Sequence, residues 1–325
     1  MSFVARVPAF VAGVALAMAS FAVIAQSFPN RPVRILVPFP AGAGVDIVAR
    51  MLAQPLTELW GQAAVIDNRP GAGGTIACEL AAKSAPDGYT LLLGNVSTFA
   101  MAPSLYKKVN YDPVKSFAPI TLIDTSANVL VAHPGVPATT TQALIALAKA
   151  KPGQINYASA GSGTSPHLAA ELFKSMAGVD LVHVPYKGSP QALTDLLAGQ
   201  TQIMFASLVS ALPHVRQARL RALGVTSVKR AAALPEVPAI SESGLRGYDV
   251  SVWMGIVAPA ATPSPVIAQL NRQIASILQL PDVRERLAVQ GLEAITNSPT
   301  GFAGYIAVEV RKWSAVIRQA GVTAD

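Results

Sequence analysis

Val33-Arg34-Ile35-Leu36-Val37-Pro38-Phe39-Pro40-Ala41-Gly42-Ala43-Gly44-Val45-Asp46 passes from an apolar, strand-like run through a loop of Gly and Pro into a helical pattern. The same succession recurs further along, in Asn156-Tyr157-Ala158-Ser159-Ala160-Gly161-Ser162-Gly163-Thr164-Ser165-Pro166-His167. A strand–loop–helix junction aims backbone N–H groups that lack intrahelical partners, and the positive end of the helix dipole, at one spot. Neither loop contains Lys or Arg. Two such junctions facing each other would make a small-anion site from neutral donors, suited to reversible capture rather than bond breaking.

Working outward, apolar runs at 33–37, 63–67, 90–93, 155–159, 182–185, 203–205, 222–225 and 252–257 read as strands. Helical patterns at 45–60, 75–83, 141–149, 167–176, 189–197 and 265–279 are interleaved with them, and helices at 282–289 and 302–320 close the chain. Residues 117–125 and 128–132 read as two strands around a bend at Ser126. Such alternation predicts an α/β architecture with largely parallel sheets. A core of this size usually splits into two domains. No long polar linker separates the halves, so the chain is expected to cross between domains more than once, near 125–128 and 248–251.

The chain has 325 residues, 51% hydrophobic and 13% charged, with its apolar blocks broken by 24 Gly and 25 Pro. Beyond the N-terminus no apolar run is long enough to span a membrane. In residues 1–25, Arg6 is the only charge, and an apolar stretch ends in Val23-Ile24-Ala25. This reads as a secretory signal peptide cleaved after Ala25. The net charge of +7 is scattered, with no basic stripe, which argues against a nucleic-acid partner. One cysteine, Cys78, excludes an intrachain disulfide, and its helical, apolar setting reads as a buried small side chain.

Several residues have two readings each. Gly42-x-Gly44 lacks the third glycine of a dinucleotide fingerprint, since Ile47 stands there. Asp46 is either an N-cap or a ligand contact. The second loop offers Ser159, Ser162, Ser165 and His167 without the Gly-x-Ser-x-Gly of a nucleophile elbow. A secreted hydrolase using Ser162 or Ser165 with His167 is the rival from another class, although a capping or structural role also suits His167. No His pair has metal-ligand spacing, so neither metal nor cofactor is expected. Residues 71–75 form a tight turn or border the site, and Lys187 is a solvated lysine or a cation beside the cleft. Of the three tryptophans, Trp253 is the one placed to touch a ligand.

The ordered series Pro38-Phe39-Pro40-Ala41-Gly42, Asn68-Arg69-Pro70-Gly71-Ala72-Gly73-Gly74, Ala85-Pro86-Asp87-Gly88-Tyr89-Thr90-Leu91 and Tyr111-Asp112-Pro113 resembles the Bug-type solute receptors of tripartite tricarboxylate transporters. So do Tyr157-Ala158-Ser159-Ala160-Gly161, Ser165-Pro166-His167-Leu168, His183-Val184-Pro185-Tyr186-Lys187-Gly188 and Leu234-Pro235-Glu236-Val237-Pro238. The resemblance implies a type II periplasmic-binding-protein fold, with two α/β domains, crossover strands and a central cleft that closes on its ligand. It divides the chain into a signal peptide (1–25), a discontinuous first domain (26–126 with 249–325) and a second domain (127–248). It implies a periplasmic monomer that binds a small organic carboxylate, passes it to membrane permease subunits or signals its presence, and performs no catalysis. The ligand residues it implies are Phe39, Ala41, Gly42, Ala43 and Asp46, with Ser97 and Thr98, facing Ser159, Ala160, Gly161, Ser165, His167 and Ala206. Departures from the family pattern fall at Val45, where a hydroxyl is usual, and at Ala206-Ser207, where Asp-Asn is usual. Losing that carboxylate disfavours ligands with an amino group.

Overall fold

The computed structural model describes residues 28–320. The signal segment expected at 1–25 lies outside them. Strand β1 (Val33–Val37) is buried at every position but Arg34, which is part-buried beside Asp67, as suits an apolar strand covered on both faces. It pairs in parallel with β2 (Ala64–Asn68) and β3 (Thr90–Asn95). Helix α1 (Gly44–Trp60) turns Val45, Val48, Ala49, Leu52 and Leu56 inward, and Gly61 ends it in the left-handed conformation with its N–H on Thr57 O. After α2 (Thr75–Ala82) and β3, the chain makes a π turn (Ser97–Met101) and a short helix, α3 (Ala102–Leu105).

Strand β4 (Phe117–Ala132) then runs through both halves of the molecule. The bend expected at Ser126 is absent, because Ser126 and Ala127 are paired across to Val252 and Ser251 of β9 (Ser251–Pro259). From Asn128 onward the partners change to β7 (Ile203–Ser207) and β8 (Arg221–Val225). Continuous ladder partners thus hold straight a segment whose composition suggests a turn. The second half contains α4 (Thr141–Ala150), β5 (Asn156–Ser159), α5 (Ser165–Ala177), β6 (Val182–Pro185), α6 (Ser189–Leu197) and α7 (Leu208–Arg216). After β9 come α8 (Ser264–Leu278), α9 (Pro281–Val289), β10 (Glu293–Ala294) and α10 (Pro299–Ala320). Helix α7 has no counterpart among the expected elements, since Pro213 lies inside it.

The sheet order is β2-β1-β3-β9-β4-β7-β5-β6, with β8 and β10 also on β4. It is mixed rather than largely parallel. The outer strands of each half are parallel, but every pairing made by β4 or β9 is antiparallel. The reason is topological: the chain goes out along β4 and returns along β9. Around this central pair, Trp253 is fully buried, parallel to Phe99 at 5.9 Å, with its Nε1 donating to Glu309 Oε2 at 2.9 Å. Cys78 is buried, and burial pushes its thiol up to about 12, as suits a packing residue.

Asp124 is fully buried on β4, where the ladder with β9 bulges; neither carboxylate oxygen has a partner in good hydrogen-bond geometry, and the nearby Ser126 side chain and Met254 backbone offset its burial only in part. Burial pushes its pKa from 3.8 up to about 7. Because the folded pKa is the higher one, the stability linked to this proton is present at low pH and is lost as pH rises through about 7. Asp124→Asn is therefore expected to raise the Tm at about pH 8 and to change it little near pH 5. Thermal melts of the two proteins across that range read this directly.

Candidate functional site

Four helices begin at one place between the two halves. Gly44 and Val45 open α1, Ser165 and Pro166 open α5, Ser189 opens α6, and Ser207 precedes α7; all line one small inner cavity. None of these helices has a side-chain cap bond at its N-cap residue. The first-turn N–H groups of such a helix lack intrahelical partners and favour an anion. The remaining wall consists of Phe39, Ala43, Asn95, Ser97, Asn128, Ala160, Thr164, Val252 and Met254. No lysine, arginine, histidine or carboxylate lines it. Asn95 Oδ1 accepts the N–H groups of Ser97 (3.1 Å) and Thr98 (3.3 Å), which fixes the amide and leaves Nδ2 as a donor on the cavity side.

The halves meet across this cavity. Ser165 N–H donates to Ser97 Oγ at 2.7 Å, and Tyr106 Oη donates to Ser162 O at 2.8 Å. A Cβ on Gly44 would fall 2.7 Å from Ser207 Oγ, so glycine permits this approach of α1 to α7. The inner cavity measures about 30 Å³, on the order of a single water. Phe39 and Ala160 separate it from an outer chamber of about 430 Å³, lined by residues 38–40, 70–74, 160–162 and 185–188 with Tyr106. Lys187 is the one charged residue lining that chamber.

Of the residues singled out in the sequence, Phe39, Ala43, Ser97, Ala160 and Ser165 line the inner cavity, and Gly161 lines the outer chamber. The turn at 71–74 borders that chamber too. Ala41 is exposed, and Gly42 lines neither space. The Asp46 carboxylate accepts Gly42 N–H (2.8 Å) and pairs with Arg50 and Asn68. It stands in the first turn rather than at the N-cap, which is Ala43. Burial alone would raise its pKa, but Arg50, Gly42 and Asn68 hold it below the usual carboxylate value. Thr98 Oγ1 is engaged with the Asn95 backbone, and Ala206 is buried within β7 beside the cavity-lining Ser207. Trp253 does not reach the cavity: Val252 and Met254 line it, and side chains alternate along a strand.

Ser159 and His167 form a support behind the second loop. Ser159 Oγ accepts Gly161 N–H (3.1 Å) and meets His183 Nε2 at 2.7 Å, while His167 Nδ1 accepts Gly163 N–H at 3.2 Å. The His183 ring stacks between His167 (4.2 Å) and Tyr157 (4.8 Å), and the Tyr157 hydroxyl donates to Glu171. His167 bonds to neither Ser162 nor Ser165, and Ser165 Oγ accepts from Asn128 Nδ2 at 3.3 Å. Among the described residues there is no cluster of metal-binding side chains, and no helix is long and apolar enough to cross a membrane.

The sequence pattern places α6 at 189–197 but does not bring its start to the site, although Gly188-Ser189-Pro190 repeats the small-residue-then-proline opening of Ser165-Pro166, and it misses α7 altogether. Asn95 and Asn128 carry no local motif at all. They reach the cavity only because β3 and β4 end at and cross it.

A mixed sheet crossed by two long strands, with helix starts facing each other across a cleft, defines the two-domain periplasmic-binding-protein class. Residues 48–322 match the sequence profile of the tripartite tricarboxylate transporter family receptor. Protein BugT of Bordetella pertussis is 38% identical over 96% of this chain and 96% of its own. Rhodopseudomonas palustris Rpa4515, solved with adipate, superposes with a TM-score of 0.88 at 34% identity, covering 91% of this chain and 99% of that one. MatC of the same organism, solved with bound malate, gives 0.85 at 33%, covering 89% and 100%. The chain belongs to the tripartite tricarboxylate transporter receptor family.

Burial, with His167 beside it, lowers the His183 pKa from 6.5 to about 4. The unfolded chain therefore binds more protons between those values, so stability falls as pH is lowered from 6.5 towards about 4. We expect His183→Phe, which keeps a stacking ring but cannot titrate, to flatten this part of the Tm–pH curve.

Proposed function

We propose that the chain is a periplasmic receptor that captures a small, non-amino organic carboxylate and delivers it to tripartite tricarboxylate-type permease subunits. The observation that carries this is the convergence of four helix starts without side-chain caps on one cavity that has no charged side chain in its wall. Such a site can replace the water around a carboxylate with fixed N–H donors, yet holds no counter-charge that would resist release. The adipate and malate bound to its structural relatives support a carboxylate. The absence of any Asp or Glu lining the cavity supports a ligand without an ammonium group.

In this reading residues 26–126 with 249–325 form one domain and 127–248 the other. They part so that an acid can enter an inner cavity that, when closed, holds on the order of one water. The receptor acts as a monomer, after removal of its signal peptide, and catalyses nothing. Against hydrolysis stands the Ser159–His183 pair, the one Ser–His contact behind the loop. Ser159 is fully buried, and His183, with its pKa near 4, is a weak base.

The test is thermal denaturation of the protein from Gln26, refolded to remove carried-over ligand, against di- and tricarboxylates, aromatic acids, amino acids and the matching amides. A ligand at about 100 times its Kd adds about 2.7 kcal/mol, which raises Tm by several degrees in a chain of this size. A shift with one class of acid and none with its amide is the expected result. Amides that match their acids, or amino acids that bind tighter than their deamino analogues, would overturn the proposal.

A further inference from the structure

We propose that Asn128 makes this receptor selective for a hydroxy acid, a carboxylate bearing a hydroxyl close to its anionic end. The inference rests on reading the inner cavity as the carboxylate site.

Asn128 lies on the crossing strand β4 and is 1% exposed. Its backbone is pinned on both sides by Thr226: Asn128 N–H donates to Thr226 Oγ1, and Asn128 O accepts Thr226 N–H, each at 2.9 Å. Its Nδ2 donates to Ser165 Oγ at 3.3 Å. The remaining atom, Oδ1, is buried and has no partner. Among the described residues, six carry a buried side-chain polar atom without a partner, and Asn128 is the one of them that lines the inner cavity. An acceptor buried without a donor destabilises the fold, and at a cavity wall a ligand donor would relieve it.

The use follows from the neighbours. Asn128 Nδ2 is bonded to Ser165, the first residue of α5, so the amide group lies beside the donors that would hold the anion. A ligand atom that satisfies it must be a donor and must be close to the carboxylate. A carboxylate oxygen would repel it. An ammonium would be buried with no Asp or Glu in the wall to balance it. A hydroxyl fits both demands, and it can pass the hydrogen bond on to one of the cavity's serine hydroxyls. Where a site is built to hydrogen-bond a ligand hydroxyl, the analogue lacking it leaves a buried group unmet and binds less well.

The experiment is calorimetry on the protein from Gln26 with pairs of acids that differ by one hydroxyl: malate and succinate, lactate and propionate, 3-hydroxybutyrate and butyrate, 2-hydroxyadipate and adipate. We expect the hydroxy acid of the binding pair to bind roughly tenfold tighter, as one net hydrogen bond allows. In Asn128→Ala that ratio should fall to near one, chiefly by weakening the hydroxy acid. Asn128→Ser, smaller but still an acceptor, should keep part of it. Equal or tighter binding of the deoxy acid by the unaltered protein overturns this inference and leaves the carboxylate reading standing. A preference that survives intact in Asn128→Ala also overturns it. Silence from every acid, with and without hydroxyl, overturns both. If Asn128→Ala fails to fold, Asn128→Ser carries the test, and a full preference retained in it overturns the role of Asn128.

Discussion

Everything at the centre of this molecule answers to one constraint: helix starts carry N–H groups that the helix itself cannot satisfy. Four of them meet at the cavity between the halves, without side-chain caps on their N-cap residues. Each half alone would present its share of these donors to water. Closing the halves removes water from them, so a tightly closed form needs something to accept their hydrogen bonds. Some of this need is met internally, as where Ser97 Oγ takes the Ser165 N–H across the cleft. The rest is what the proposed carboxylate would satisfy. Glycines at the points of closest approach, Gly44 against Ser207 and Gly73 against Ser162, let the two sides come near enough for this coupling.

The crossing strands make the coupling mechanical. β4 belongs to both halves without a break, and β9 runs back beside it from Ser251 to Pro259. Asn128, Val252 and Met254 on these strands line the cavity, while Trp253 faces away into a packed cluster with Phe99, Phe302 and Tyr305. A change in the angle between the halves must therefore pass through strands whose one face forms part of the site. Close-packed interiors resist gradual deformation, which favours two positions of the halves over a continuum.

The pattern of residues in the sequence shows the α/β alternation, the first strand and helix, and the two Gly-rich loops, because these are local. Val33–Val37 is apolar at every position but Arg34 and α1 has a clear helical face, so short-range patterning fixes both. Ser126 shows where it stops: a polar stretch reads as a bend, yet long-range ladder partners keep it extended. The same limit applies to the site. Phe39, Ser97, Ala160 and Ser165 belong to recognisable motifs and line the cavity, whereas Asn95 and Asn128 are strand residues outside any motif. Motif membership also does not separate lining from support. Asp46, Ser159 and His167 sit in the same loops as the lining residues, but their side chains are spent holding those loops in shape.

A wall without charges changes what selectivity can rest on. A lysine or arginine in the cavity would attract any anion strongly and at long range. Backbone N–H groups and neutral side chains act only at contact, so binding depends on where each donor and acceptor falls on the ligand. Two stretches push in this direction. Val45 gives the cavity an apolar wall, and Ala206-Ser207 carries no carboxylate but places the Ser207 hydroxyl at the cavity. The result is a site with few ways to satisfy a wrong ligand. In the proposed carboxylate site, with the donors fixed by helix geometry, the choice of acid would fall to the few side-chain polar atoms not already committed to the protein, Asn95 Nδ2 and Asn128 Oδ1 foremost among them.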